Sequence, residues 1–129
     1  MSIDHVGLFV PASIYKETVN WYLTVLAPIG FKKFVEPNKF ACGLGAHSPD
    51  FWIASHDTDK ANIRLHLGFK ADNRKAVDEF HEAAMAVGAK DNGAPGLRPQ
   101  YHPNYYGAFV IDPAGNNIEV VCHMPEVTV

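Results

Sequence analysis

Two histidines and one glutamate stand at positions where a chemical role accounts for them better than packing does. His5 opens the segment His-Val-Gly-Leu-Phe-Val, and His66 opens the matching segment His-Leu-Gly-Phe-Lys-Ala. With a short gap after these segments, Val19, Tyr22, Leu26 and Gly30 fall on Val77, Phe80, Ala84 and Gly88. A histidine, a glycine, a helix face and a helix stop that recur in register indicate an internal duplication. Equivalent histidines on equivalent strands would turn toward a shared cavity, and paired neutral imidazoles are metal donors. Glu119 is the matching carboxylate. It lies mid-strand between Ile118 and Val120, where an unpaired charge in a half-buried sheet is costly and a ligand role would offset that cost. His5, His66 and Glu119 on one face of an ion leave coordination positions open for a substrate, and Zn, Fe(II), Mn, Ni and Co all accept such a set. Taken singly, each residue would read as an ordinary core or rim residue; the repeat is what groups them. His47, His56, His81 and His123 have no such support and read as surface or structural.

A second group lies in the stretch from Pro95 to Tyr106, which is dense in Pro, Tyr and His. Arg98 is suited to clamping a carboxylate or phosphate, Tyr101 and His102 to acid–base work, and Tyr105 to contacting a bound molecule. Trp52 and Phe109 are candidate walls for the same cavity, although strand aromatics more often serve the core. A connection this long without periodicity is more often functional than ordinary, since most run to about 4–6 residues. It is expected to act as a lid over the cavity.

These residues need a frame to position them. Residues 3–10 alternate like a half-buried strand, with His5 on it, and Pro11 stops it. A helix follows, with Ser13 as its expected N-cap and Tyr15, Val19, Tyr22, Leu23 and Leu26 inward. Strand-like runs occupy residues 31–35, 40–44 and 51–55. The pattern then restarts: a strand over 63–71 carrying His66, a helix from about 73 to 87 with Val77, Phe80, Ala84 and Val87 inward, the Gly/Pro-rich stretch, a strand over 106–111, a turn at Asp112-Pro-Ala-Gly-Asn116, and a last strand over 117–123. The expected fold is α+β: two βαβββ modules, about 1–57 and 62–124, in a single domain spanning 1–129, forming an open-cup mixed sheet with helices outside. Either module alone buries too little surface for stability.

Composition is consistent with this frame. The 129 residues are 47% hydrophobic and 12% aromatic, which suffices for one core. Eleven basic and 14 acidic residues give a charge of −3 without clusters, so nucleic acid is not an expected partner. No apolar run approaches the roughly 20 residues of a membrane span, and the N-terminus lacks a leader pattern, so a cytoplasmic protein without a membrane partner is expected. Cys42 and Cys122 are too few for a disulfide framework and read as core thiols.

A histidine on the first strand, another on the fifth, and Asp112-Pro-x-Gly-Asn-x-Ile-Glu119 near the C-terminus together resemble the vicinal oxygen chelate superfamily, the glyoxalase/bleomycin resistance protein/dioxygenase family. The resemblance covers essentially the whole chain. It implies a divalent metal that binds vicinal oxygens of a small oxygenated substrate, with lyase, isomerase or ring-cleaving dioxygenase chemistry. In glyoxalase I a fourth ligand, a Glu, stands at the repeat-equivalent of Glu119, which here falls near Ile53. The three-ligand branches are therefore the better match. The resemblance also implies an alternative, a non-catalytic binder of the bleomycin-resistance type, and a possible homodimer.

Overall fold

Alternating burial builds the first strand: Leu8 and Val10 are buried while Gly7 and Phe9 face outward. The computed structural model describes residues 3–56 and 63–126 and divides into two units, 1–63 and 64–129. The first unit runs β1 (Val6–Pro11), α1 (Tyr15–Val25), β2 (Lys32–Asn38), β3 (Ala41–Gly45) and β4 (Phe51–His56). The second runs β5 (His66–Lys70), α2 (Arg74–Ala86), β6 (Lys90–Leu97), β7 (Tyr106–Ile111) and β8 (Asn117–Cys122).

Each unit is thus a βαβββ module with its own four-stranded mixed sheet. The strand orders are β1-β4-β3-β2 and β5-β8-β7-β6, and in both the first strand pairs in parallel with the last while the remaining pairs are antiparallel. The two copies share one topology, as the repeat implies. Gly30 and Gly88 occupy equivalent left-handed positions (φ 86° and 80°) just past the helical segments, where a side chain would be strained.

The helices bury the faces that their periodicity marks. Val19, Tyr22 and Val25 are buried on α1, with Tyr22 edge-on to Phe51 of β4 at 4.9 Å. Val77, Phe80 and Ala84 are buried on α2, which packs on β6, β7 and β8. Cys42 and Cys122 are buried free thiols.

Four local expectations need correction. β1 begins at Val6, so His5 stands just before the strand, where the first ladder bond runs from Val6 N–H to Asp50 C=O. Ser13 caps nothing, because the chain enters α1 through a 3-10 turn over Ala12–Ile14 that leaves Ile14 at the N-cap position. Val87 is exposed, lying past the end of α2. The Gly/Pro-rich stretch is not all loop: Lys90–Leu97 form the edge strand β6, bulged at two places in its pairing with β7. Pro95 is tolerated there because an edge strand leaves some amides without ladder partners.

Candidate metal centre

β8 lies inside its sheet, between β5 and β7, and its alternation divides two chemistries. Ile118, Val120 and Cys122 are fully buried on the α2 side, while Glu119 points to the opposite face. In register, Glu119 faces Gly68 of β5 and Phe109 of β7. Its carboxylate lies between two glycines: a Cβ on Gly68 would come within 3.6 Å of Oε1, and one on Gly107 within 3.1 Å of Oε2. Glu119 is only 3% exposed, so each oxygen requires a partner.

His66 supplies one side. It is the first residue of β5, its Nδ1 lies 3.0 Å from the Asn117 carbonyl oxygen, and its Nε2 lies 3.2 Å from Glu119 Oε1. A carbonyl oxygen only accepts, so Nδ1 carries the proton and donates it. In the neutral ring Nε2 then presents a lone pair toward a carboxylate oxygen. Two acceptors in that relation are held together by a second ring proton or by a cation between them. Two donors each about 2.1 Å from an ion and at right angles are about 3 Å apart, so the observed separation suits neighbouring ligands. The imidazole is also stacked on Phe109, with ring centroids 6.2 Å apart.

The hairpin between β6 and β7 supplies the other side. Its tip, residues 98–105, is closed by Arg98 N–H to Tyr105 C=O and Tyr105 N–H to His102 C=O. Tyr105 donates its hydroxyl proton to Glu119 Oε2 in a short hydrogen bond. Burial, and after it that hydrogen bond, hold the phenol up at about 12. Tyr101, 63% exposed, packs its ring on Tyr105 at 4.9 Å. Arg98 curls back, Nη1 donating to Gly96 C=O and Nη2 to Ala94 C=O, and lies over Phe109 with its guanidinium carbon 5.5 Å from the ring centre.

His102 has a partner that the sequence did not flag. Asn104 N–H donates to His102 Nδ1, so Nε2 carries the proton and donates to His123 Nδ1 at 2.8 Å. His123 follows β8 directly, and both imidazoles pack on the Tyr105 ring. No local pattern marks His123, because the pairing joins segments 21 residues apart.

The second unit therefore gathers His66, Glu119, Tyr105 and Phe109, with Arg98, Tyr101, His102 and His123 around them. His5 and Trp52 belong to the first unit. His5 is exposed there and its Nδ1 pairs with Asp4 at 2.7 Å. Within neither unit do three His, Cys, Asp or Glu side chains among the described residues group as a metal site. The repeat-equivalent of Glu119 is Trp52 and not Ile53, since Gly7 pairs with Trp52 as Gly68 pairs with Glu119. Its indole lies over Gly43 and donates to Pro49 C=O at 2.9 Å. Among the described residues, no helix is long and apolar enough to cross a membrane.

No protein-family model matches the chain, and no curated protein matches it in sequence. Solved structures do match. A glyoxalase/bleomycin resistance protein from Albidiferax ferrireducens is 26% identical, with a TM-score of 0.74 over 92% of this chain and 97% of that one. A glyoxalase/bleomycin resistance protein/dioxygenase family enzyme from Burkholderia phytofirmans is 21% identical, with a TM-score of 0.70 over 96% and 100%. Lactoylglutathione lyase from Agrobacterium tumefaciens is 18% identical, with a TM-score of 0.68 over 94% and 92%. With its two βαβββ modules and these neighbours, the chain has the fold of the glyoxalase/bleomycin resistance protein/dioxygenase family, the vicinal oxygen chelate superfamily.

Proposed function

We propose that the protein is a metal-dependent enzyme acting on a small oxygenated organic molecule, with His66, Glu119 and His5 as ligands to a divalent ion. One observation carries the reading: a buried carboxylate oxygen lies 3.2 Å from Nε2 of a histidine whose other nitrogen is committed to a backbone carbonyl. Such an outer hydrogen bond fixes the tautomer of a metal-binding imidazole and raises its basicity. An ion held there would act as a Lewis acid on substrate oxygens, in lyase, isomerase or dioxygenase chemistry.

The surrounding residues have roles that do not depend on that ion's identity. Phe109 offers an apolar wall beside His66, and Arg98 a fixed positive charge for an anionic group of the substrate. Tyr101 is the exposed acid–base candidate at the hairpin tip. Both ring nitrogens of His102 are engaged, so an acid–base role for it runs through the proton shared with His123.

A second reading has its own support. The face of the first sheet opposite α1 presents Gly7, Phe9 and Ala54 around Trp52, with Phe9 65% exposed. An apolar face of this kind suits a non-catalytic binder of the bleomycin-resistance type. Metal analysis separates the two. The enzyme reading expects about one equivalent of Zn, Fe(II), Mn, Ni or Co in protein purified without chelators or reconstituted afterwards, and its loss in His66→Ala. Protein that takes up none of the five overturns the metal reading and leaves the binder.

A further inference from the structure

The sequence makes Tyr105 a residue that touches substrate, yet its one hydroxyl proton is already given to Glu119. We propose that Tyr105 is a positioning residue for the metal ligand: it holds Glu119 by Oε2 so that only Oε1 is presented beside His66 Nε2. The proposal rests on the metal reading above and adds to it a restriction on how the carboxylate binds. A glutamate has three side-chain torsions, and unrestrained it would divide its time between one-oxygen and two-oxygen ligation. Here Oε2 has two restraints. Tyr105 hydrogen-bonds it from the hairpin, and Gly107 of β7 lies so close beneath that a methyl group there would meet it at 3.1 Å. Oε1 stands 3.2 Å from the histidine nitrogen.

The phenol is itself held. Backbone bonds on both sides of Tyr105 close the hairpin tip, and its ring is packed by Tyr101 at 4.9 Å, His123 at 5.3 Å and His102 at 5.5 Å. The aromatic residues of the tip thus support a ligand from outside. Partners of this kind typically account for 10–100-fold in metal affinity.

The test uses Zn2+ and Co2+ added to chelator-stripped full-length protein, with affinity read by calorimetry and ligand geometry by the visible spectrum of the Co2+ form. Tyr105→Phe keeps the ring and removes the hydroxyl; affinity should fall about 10–100-fold and the Co2+ bands should shift. Tyr101→Phe, which leaves the Glu119 contact alone, should change neither. If Tyr105→Phe matches the parent in both readouts, the positioning role is wrong while the metal reading stands. If the parent binds neither ion, the titration is repeated with Fe2+, Mn2+ and Ni2+, and a parent that binds none of the five overturns both readings together. Should Tyr105→Phe not fold, Gly107→Ala answers the same question: it crowds Oε2 with the phenol present, and unchanged affinity and spectrum in that variant would overturn the proposal.

Discussion

A single proton on His66 decides what its ring can do at the site. Because Asn117 offers only a carbonyl oxygen, Nδ1 is a donor and Nε2 is the nitrogen turned to Glu119. Arg98 is fixed with comparable economy by two backbone carbonyls over the face of Phe109. Its charge is therefore preorganised, and a substrate anion would meet it at little entropic cost. Replacing Arg98 by Ala is expected to weaken binding of an anionic ligand by about 1.5–3 kcal/mol, the range for a hydrogen bond to a charged group, with metal content unchanged. Equal affinity in parent and variant, measured by calorimetry with a small carboxylate or phosphate found to bind the parent, would return Arg98 to a role in closing the hairpin. The residues of the site were unequally legible. His66 and Glu119 could be singled out because the repeat and the strand alternation mark them. The repeat-equivalent of Glu119 falls near Ile53 by sequence and on Trp52 by register, because a strand without charged residues offers no marker of register, and one step turns a side chain to the other face. His123 carried no signal, since its role arises only when the hairpin tip folds back on the end of β8.

The elements differ in how plainly they announce themselves. α2 has an apolar face at helical spacing and a capping residue, Asn73, whose side chain accepts from Ala76 N–H at 2.8 Å. The turn before β8 is equally explicit: Asp112 Oδ1 accepts from the amides of Ala114 and Asn116, and Oδ2 from the Asn116 side chain. β6 is the opposite case. Gly93, Pro95 and Gly96 erase the period-two pattern, and the bulges at those residues shift the pairing, so tertiary pairing with β7 and not local preference makes it a strand. His81 of α2 clips that strand through Asp91 at 2.8 Å. The hydrogen bond from His81, and after it the Gly93 amide, hold the Asp91 carboxyl below its ordinary range. A carboxylate with a lowered folded-state pKa contributes stability above its unfolded value, about 3.9, and loses that contribution as pH falls through the folded value. Asp91→Asn should therefore lower the melting temperature at neutral pH and flatten its decline toward pH 3. A variant whose melting temperature falls with acid as steeply as the parent's would show that the clip contributes nothing.

Across the whole molecule one plan is built twice and given different chemistry each time. The second copy places a carboxylate between two glycines; the first places an indole over a glycine at the equivalent point. This divergence sets the ionisable network in the second unit and leaves the first with an apolar open face. Each unit also keeps a tyrosine whose ionisation the fold resists. Burial, then the charges of Cys42 and Glu36, push Tyr15 up to about 12, and its buried hydroxyl has no hydrogen-bond partner among the described residues. Burial, then the hydrogen bond to Asp78, push Tyr106 up to about 12. A phenol raised in the folded state contributes stability below its unfolded value, about 10, and loses it as pH rises toward the folded value, because unfolding then releases a proton that the native state retains. The protein should therefore lose stability between about pH 10 and pH 12, with native absorbance at 295 nm lagging behind that of the guanidinium-unfolded chain. Tyr15→Phe separates its contribution from those of Tyr105 and Tyr106. It removes a buried hydroxyl that gains nothing from the fold, so the variant should be as stable as the parent at pH 7, or more stable by up to about 1 kcal/mol. It should also show a shallower alkaline decline than the parent. A Tyr15→Phe protein that is clearly less stable at pH 7 would mean that the hydroxyl has a partner in solution, and an unchanged alkaline slope would mean that Tyr15 ionises freely in the folded chain.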